Sequence, residues 1–147
     1  MILVIIIAAL ISLIGATSLF NGQKDDVMIY NNTIDGVGSF NTVNVTNFTL
    51  DNSSNDKQTD YIANDSVSQI TTTSSSLLVE NTIHGSDRVN DSAKGHTIYK
   101  NTATVGEHKG EVRYASFLTD NEKNRHIMIS TGDYNLTCMI VDSFKMF

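Results

Sequence analysis

The chain has 147 residues and a formal net charge of −6, room for one domain but not for two comfortable ones. It holds a single Cys, no Pro and no Trp, while Asn, Ser and Thr together supply 46 residues. That composition excludes a collagen, a coiled coil, a disulfide scaffold and a multi-cysteine zinc module. The acidic balance leaves no basic stripe to neutralise phosphates, so no nucleic-acid partner is expected.

Residues 1–20, MILVIIIAALISLIGATSLF, carry no charged side chain and hold six of the fifteen Ile residues. As a helix rising 1.5 Å per residue they would span roughly 30 Å, the hydrocarbon thickness of a bilayer. Ser12, Thr17 and Ser18 can return their hydroxyls to carbonyls one turn back. The scarcity of Lys and Arg just after the segment favours translocating the rest of the chain. The expectation is an uncleaved signal anchor: a single pass through the cell membrane, with the bilayer as partner for residues 1–20. A cleaved signal peptide is the rival, although no basic residue precedes the apolar run and Ala16-Thr17-Ser18 is a weak cleavage site. A buried core helix would need a larger body around it. Both exported readings place residues 21–147 on the extracytoplasmic side.

Residues 21–38 read as a linker with a short strand near Val27–Tyr30, and residues 39–147 as an extracellular α+β domain. Ser39–Leu50 alternates at Val43 and Val45, then slips by one to Phe48 and Leu50, the pattern of a bulged, half-buried strand. Polar low-complexity runs at about 51–60 and 71–76 read as flexible loops. Val67–Thr73 and Leu77–Val79 carry weaker strand signals. His96–Val105, Glu111–Asp120 and Arg125–Thr131 form an antiparallel meander with hairpin-sized turns at 106–110 and 121–124. Asp133 is placed to cap a final helix, whose Leu136, Ile140 and Phe144 recur every four residues. The fold class expected is α+β: an N-terminal transmembrane helix, then an antiparallel sheet covered on one face by a C-terminal helix.

The run from His96 to Phe147, strands followed by a helix bearing Leu136, Ile140, Val141, Ser143 and Phe144, resembles the ending of small membrane-anchored, Asn/Thr-rich surface proteins of methanogenic archaea. The same ending is similar to PsbP-like α+β domains. The resemblance covers roughly residues 94–147 and implies an envelope location and an α+β fold. It carries over no functional residue.

Glycosylation sequons occur at Asn31, Asn44, Asn47, Asn52, Asn64, Asn90 and Asn135, against about three expected by chance from this composition. No nucleophile elbow, phosphate loop or zinc signature is present, and no cofactor is expected. Asp25, Asp26, Asp51, Asp56, Asp60 and Asp65 lack the regular spacing of a calcium loop and read as a solvated acidic face. Cys138 reads as a buried, inert thiol. His96, Asp120 and His126 are the candidates for a metal or hydrolytic site. Pairing Val105 with Glu111 sets His96 opposite Asp120, and pairing Asp120 with Arg125 sets His126 opposite Thr119. In that register the two imidazoles point to opposite faces, and one slipped residue would unite them. The functional expectation is a non-enzymatic envelope protein with a surface-interaction or structural role toward an unknown envelope protein or glycan. A small metal-binding or hydrolytic domain is one alternative. A pilin-like subunit is another, although the apolar segment lacks the acidic residue usual near the start of pilin helices.

Overall fold

The computed structural model describes residues 27–52, 54–104 and 109–147. The expected anchor at 1–20 and most of the 106–110 turn lie outside them. Among the described residues no helix is long and apolar enough to cross a membrane.

The first strands are β1 (Ile29–Ile34), β2 (Gly38–Val43), β3 (Thr49–Leu50), β4 (Gln58–Ile62) and β5 (Gln69–Thr73). Helix α1 (Ser76–His84) comes next, then β6 (Asp87–Asp91), β7 (Thr97–Thr102), β8 (Val112–Asp120) and β9 (Arg125–Thr131). Helix α2 (Tyr134–Ser143) and β10 (Lys145–Met146) close the fold. All pairings are antiparallel, in a seven-stranded sheet ordered β3-β4-β5-β9-β8-β7-β6 and a three-stranded sheet ordered β1-β2-β10. The chain is α+β.

Alternation builds the centre. Ile127 and Ile129 of β9 are fully buried, and their cross-strand neighbours Leu118 and Ile70 lie on the same face. Helix α2 lies on that face, capped by the Asp133 carboxylate, which accepts from Leu136 N–H at 2.8 Å. The helix does not cover the sheet alone, as the sequence pattern suggested. Ile34 and Phe40 of the three-stranded sheet, with Val37 of the turn between β1 and β2, join the same core, and the Phe40 ring stacks on Phe144 at 5.4 Å. Residues assigned to a linker thus supply core. Asp35-Gly36 makes the β1–β2 turn, with Val37 N–H donating to Ile34 O at 3.0 Å and Gly36 at φ +70°. The stripe on α2 also differs from the expected one. Its buried residues are Thr137, Ile140 and Val141, while Leu136 is half-buried and Phe144 lies just past the helix.

Three further expectations are corrected. The single strand over 39–50 is two strands in two sheets, because Asn44 and Asn47 adopt φ near +58° and +57° and turn the chain between them. Asn is among the few residues that visit this region at low cost. Leu77–Val79 is helical, not extended: Ser75 caps α1 by accepting from Leu78 N–H at 3.4 Å. Most important, the polar runs at 51–60 and 71–76 enter strands β4 and β5, and β5 lies inside the large sheet. Thr is β-branched and suits a strand, provided its hydroxyl finds a partner. Thr71 is fully buried and donates to Asp60 Oδ1 at 2.6 Å, and Thr73 donates to Lys57 O at 2.8 Å. The buried Asp60 carboxylate also accepts from Gln58 at 2.7 Å and Gln69 at 2.8 Å.

Candidate functional site

The three residues singled out for chemistry are held in separate structural roles. His96 sits in the turn before β7, its N–H donating to Ser92 Oγ at 3.0 Å and its carbonyl accepting from Ser92 N–H at 2.8 Å. The β7–β8 register, Tyr99 opposite Ala115, differs by two residues from the expected one, which brings His96 level with Leu118 rather than Asp120. A shift of two keeps every side chain on its face, so the imidazoles stay on opposite sides of the sheet. His126 does stand opposite Thr119, with Nδ1 3.2 Å from its hydroxyl. Asp120 pairs with Arg125 at 3.0 Å. Partial burial pushes the Asp120 carboxyl up, but the Lys123 N–H and the Arg125 guanidinium outweigh it and hold the group below its ordinary range. Among the described residues, no three His, Cys, Asp or Glu side chains are grouped to hold a metal ion.

The acidic residues divide too. Asp60 is internal, within its ring of amide and hydroxyl donors. Asp65 shapes the β4–β5 turn, where its carboxylate accepts from Val67 N–H at 2.9 Å and from Ser68 N–H and Oγ at 2.7 Å each. Burial raises that carboxyl, and the Ser68 and Val67 bonds with the Arg113 charge more than reverse it, so it too lies below its ordinary value. Cys138 is half-buried beside Tyr134. Its hydrogen bond, then burial, raise the Tyr134 phenol, which stays protonated at neutral pH and is no general base.

All seven sequon asparagines are exposed. Their hydroxyl partners are not equal. Thr33, Thr49 and Ser66 are exposed, whereas Ser92 and Thr137 are buried. Thr137 lies 2.9 Å from the Thr131 hydroxyl and 3.1 Å from the Tyr114 carbonyl, deep under α2.

One surface collects exposed apolar side chains. Val27, Met28 and Ile29 are 64, 59 and 65 % exposed. Ile29 stands opposite Val43, which lines a cleft of about 330 Å³ with Asp133, Asn135, Leu136 and Met139 of the α2 N-terminal half. The Asp133 carboxylate there caps the helix through Oδ1, so the cleft offers apolar side chains, an amide and one capping carboxylate. No protein family, characterised protein or solved structure matches this chain. The geometry is therefore the sole guide to its surface. It presents an uncharged, apolar margin at the N-terminal end of the described chain. Sequence reasoning missed this margin because Val27–Tyr30 reads only as a short strand in a linker, a pattern that does not say the strand lies at a sheet edge.

Proposed function

We propose that this chain is a membrane-anchored cell-envelope protein that displays an α+β domain on the extracytoplasmic side and acts there through surface contacts rather than catalysis. The observation that carries the reading is the uncharged 20-residue run at 1–20, long enough to cross a bilayer. The exposure of all seven sequon asparagines supports an exported domain. The proposed anchor at 1–20 is joined to β1 by the short segment 21–28. Glycans are carried first at the sequons whose hydroxyl is exposed and whose asparagine lies away from the β1 edge, such as Asn47 and Asn64.

The test is fractionation with surface proteolysis. The full-length chain should resist extraction of membranes at alkaline pH, and protease added to intact cells should remove residues 27–147. Recovery in the soluble fraction, or full protection until lysis, would overturn the proposal.

A further inference from the structure

We propose that the free edge of β1 pairs with the same edge of a second copy of this chain, joining two three-stranded sheets into one. Exposed sheet edges template pairing with other strands, and most proteins blunt them. Among the described residues three of the four sheet edges are blunted. Strands β3 and β10 are two residues long. Strand β6 carries Asp87, Arg88 and Asp91 and loses register between Arg88 and Asn90. Strand β1 is the exception. It is six residues long, and from Val27 to Ile34 it has neither charge nor Pro.

The hydrogen-bond phase defines what the edge offers. Met28 O accepts from Asn44 N–H at 3.3 Å, so in the alternating antiparallel ladder Ile29, Asn31 and Thr33 turn their N–H and C=O away from β2. A two-fold axis at Asn31 sets Asn31 against its counterpart and Ile29 against Thr33 of the second copy, engaging all three outward residues. Each such pair exchanges two N–H···O bonds, about six in all. Self-pairing suits this edge because Val27–Ile34 carries no charged side chain that would meet its like in the second copy of this acidic chain. An edge this short buries less than the roughly 1,200 Å² of a standard interface, so the contact is weak between freely diffusing chains. Confinement strengthens it, and that part rests on the anchored reading. The eight residues 21–28 reach at most about 28 Å, which keeps every β1 within that distance of the bilayer and raises its effective concentration.

The experiment uses the full-length chain with Cys138→Ser and one new cysteine, oxidised in its native membranes. Asn31→Cys should give a disulfide dimer, and Val89→Cys on the blunted β6 edge should give at least tenfold less. Adding Ile29→Lys, at an exposed position that leaves the fold intact, should lower the Asn31→Cys dimer at least fivefold. Equal cross-linking at 31 and 89 would mean random collision and overturn the proposal. So would a monomeric Asn31→Cys chain in the membrane fraction, whether its thiol is free or shielded by lipid, and so would full glycan occupancy of Asn31 in the wild-type chain. Recovery of the protein in the soluble fraction would refute the anchor alone; the pairing would then be decided by the same cross-links on concentrated purified protein, where equal yields at 31 and 89 overturn it.

Discussion

Truncating Ile140 to Ala tests whether α2 is the keystone of the core. Ile140 is fully buried and belongs to one cluster with Phe40 of the small sheet and Ile127 and Ile129 of the large one. The change deletes three carbons, worth about 2.4 kcal/mol at about 0.8 kcal/mol per buried methylene. Sheet flanks the helix on both sides and the site collapses poorly, so a cavity cost of about 1–2 kcal/mol adds to it. The expected loss is about 3.5–4.5 kcal/mol against a total stability of about 5–15 kcal/mol. Leu136→Ala, at a half-buried position, should cost about half as much, and Asn135→Ala, exposed on the same helix, less than about 0.5 kcal/mol. Urea denaturation followed by far-UV circular dichroism measures all three. Equal midpoints for Ile140→Ala and Asn135→Ala would refute packing of α2 between the sheets. A larger loss at Leu136 than at Ile140 would restore the stripe read from the sequence.

Thr71→Val keeps the β-branched shape but removes one donor from the buried Asp60 carboxylate, and should cost about 1–3 kcal/mol in a thermal or urea melt. Gly38→Ala would place a Cβ 2.5 Å from Phe144 Cε1 and 2.6 Å from Lys145 O, and should destabilise by about 1–3 kcal/mol in the same melts. Asp65 and Asp120 both titrate below their ordinary value of 3.8 in the fold, so their contribution is complete above that value and is lost as pH falls through the lower, folded one. Asp65→Asn should accordingly flatten the acid limb of a stability–pH curve. Backbone amides of Ile70–Thr73 should exchange slowly and those of Asp87–Asp91 quickly in a hydrogen-exchange time course.

The C-terminal meander was legible because its signals are local. Ile127 and Ile129 alternate within one strand, the turn at 121–124 is hairpin-sized, and Asp133 sits next to the helix it caps. Strand β5 was not legible, because what makes Thr71 a core residue is Asp60, eleven positions away in another strand. A threonine run looks the same whether its hydroxyls meet water or a carboxylate. The split between β2 and β3 was hidden in two asparagines, whose left-handed backbone leaves no mark in a hydrophobicity pattern. For the candidate site, hairpin register set the answer. A two-residue error on β7 moved the partner of His96 but kept its face, so the separation of His96 from His126 was readable while its neighbour was not.

One guanidinium joins the two ends of the fold. Arg125 Nη1 donates to Gly36 O at 2.6 Å and its Nη2 to Phe147 O at 2.9 Å, while Nε holds Asp120 at 3.0 Å. The small sheet is likewise woven from residues 29–43 and 145–146. Contacts between positions a hundred residues apart are the slowest to form, since the loop they close must first be searched. During synthesis the amino-terminal hairpin therefore has nowhere to dock until α2 and β10 have left the ribosome. The small sheet thus closes after the large one, whose strands β3 to β9 are all made before β10.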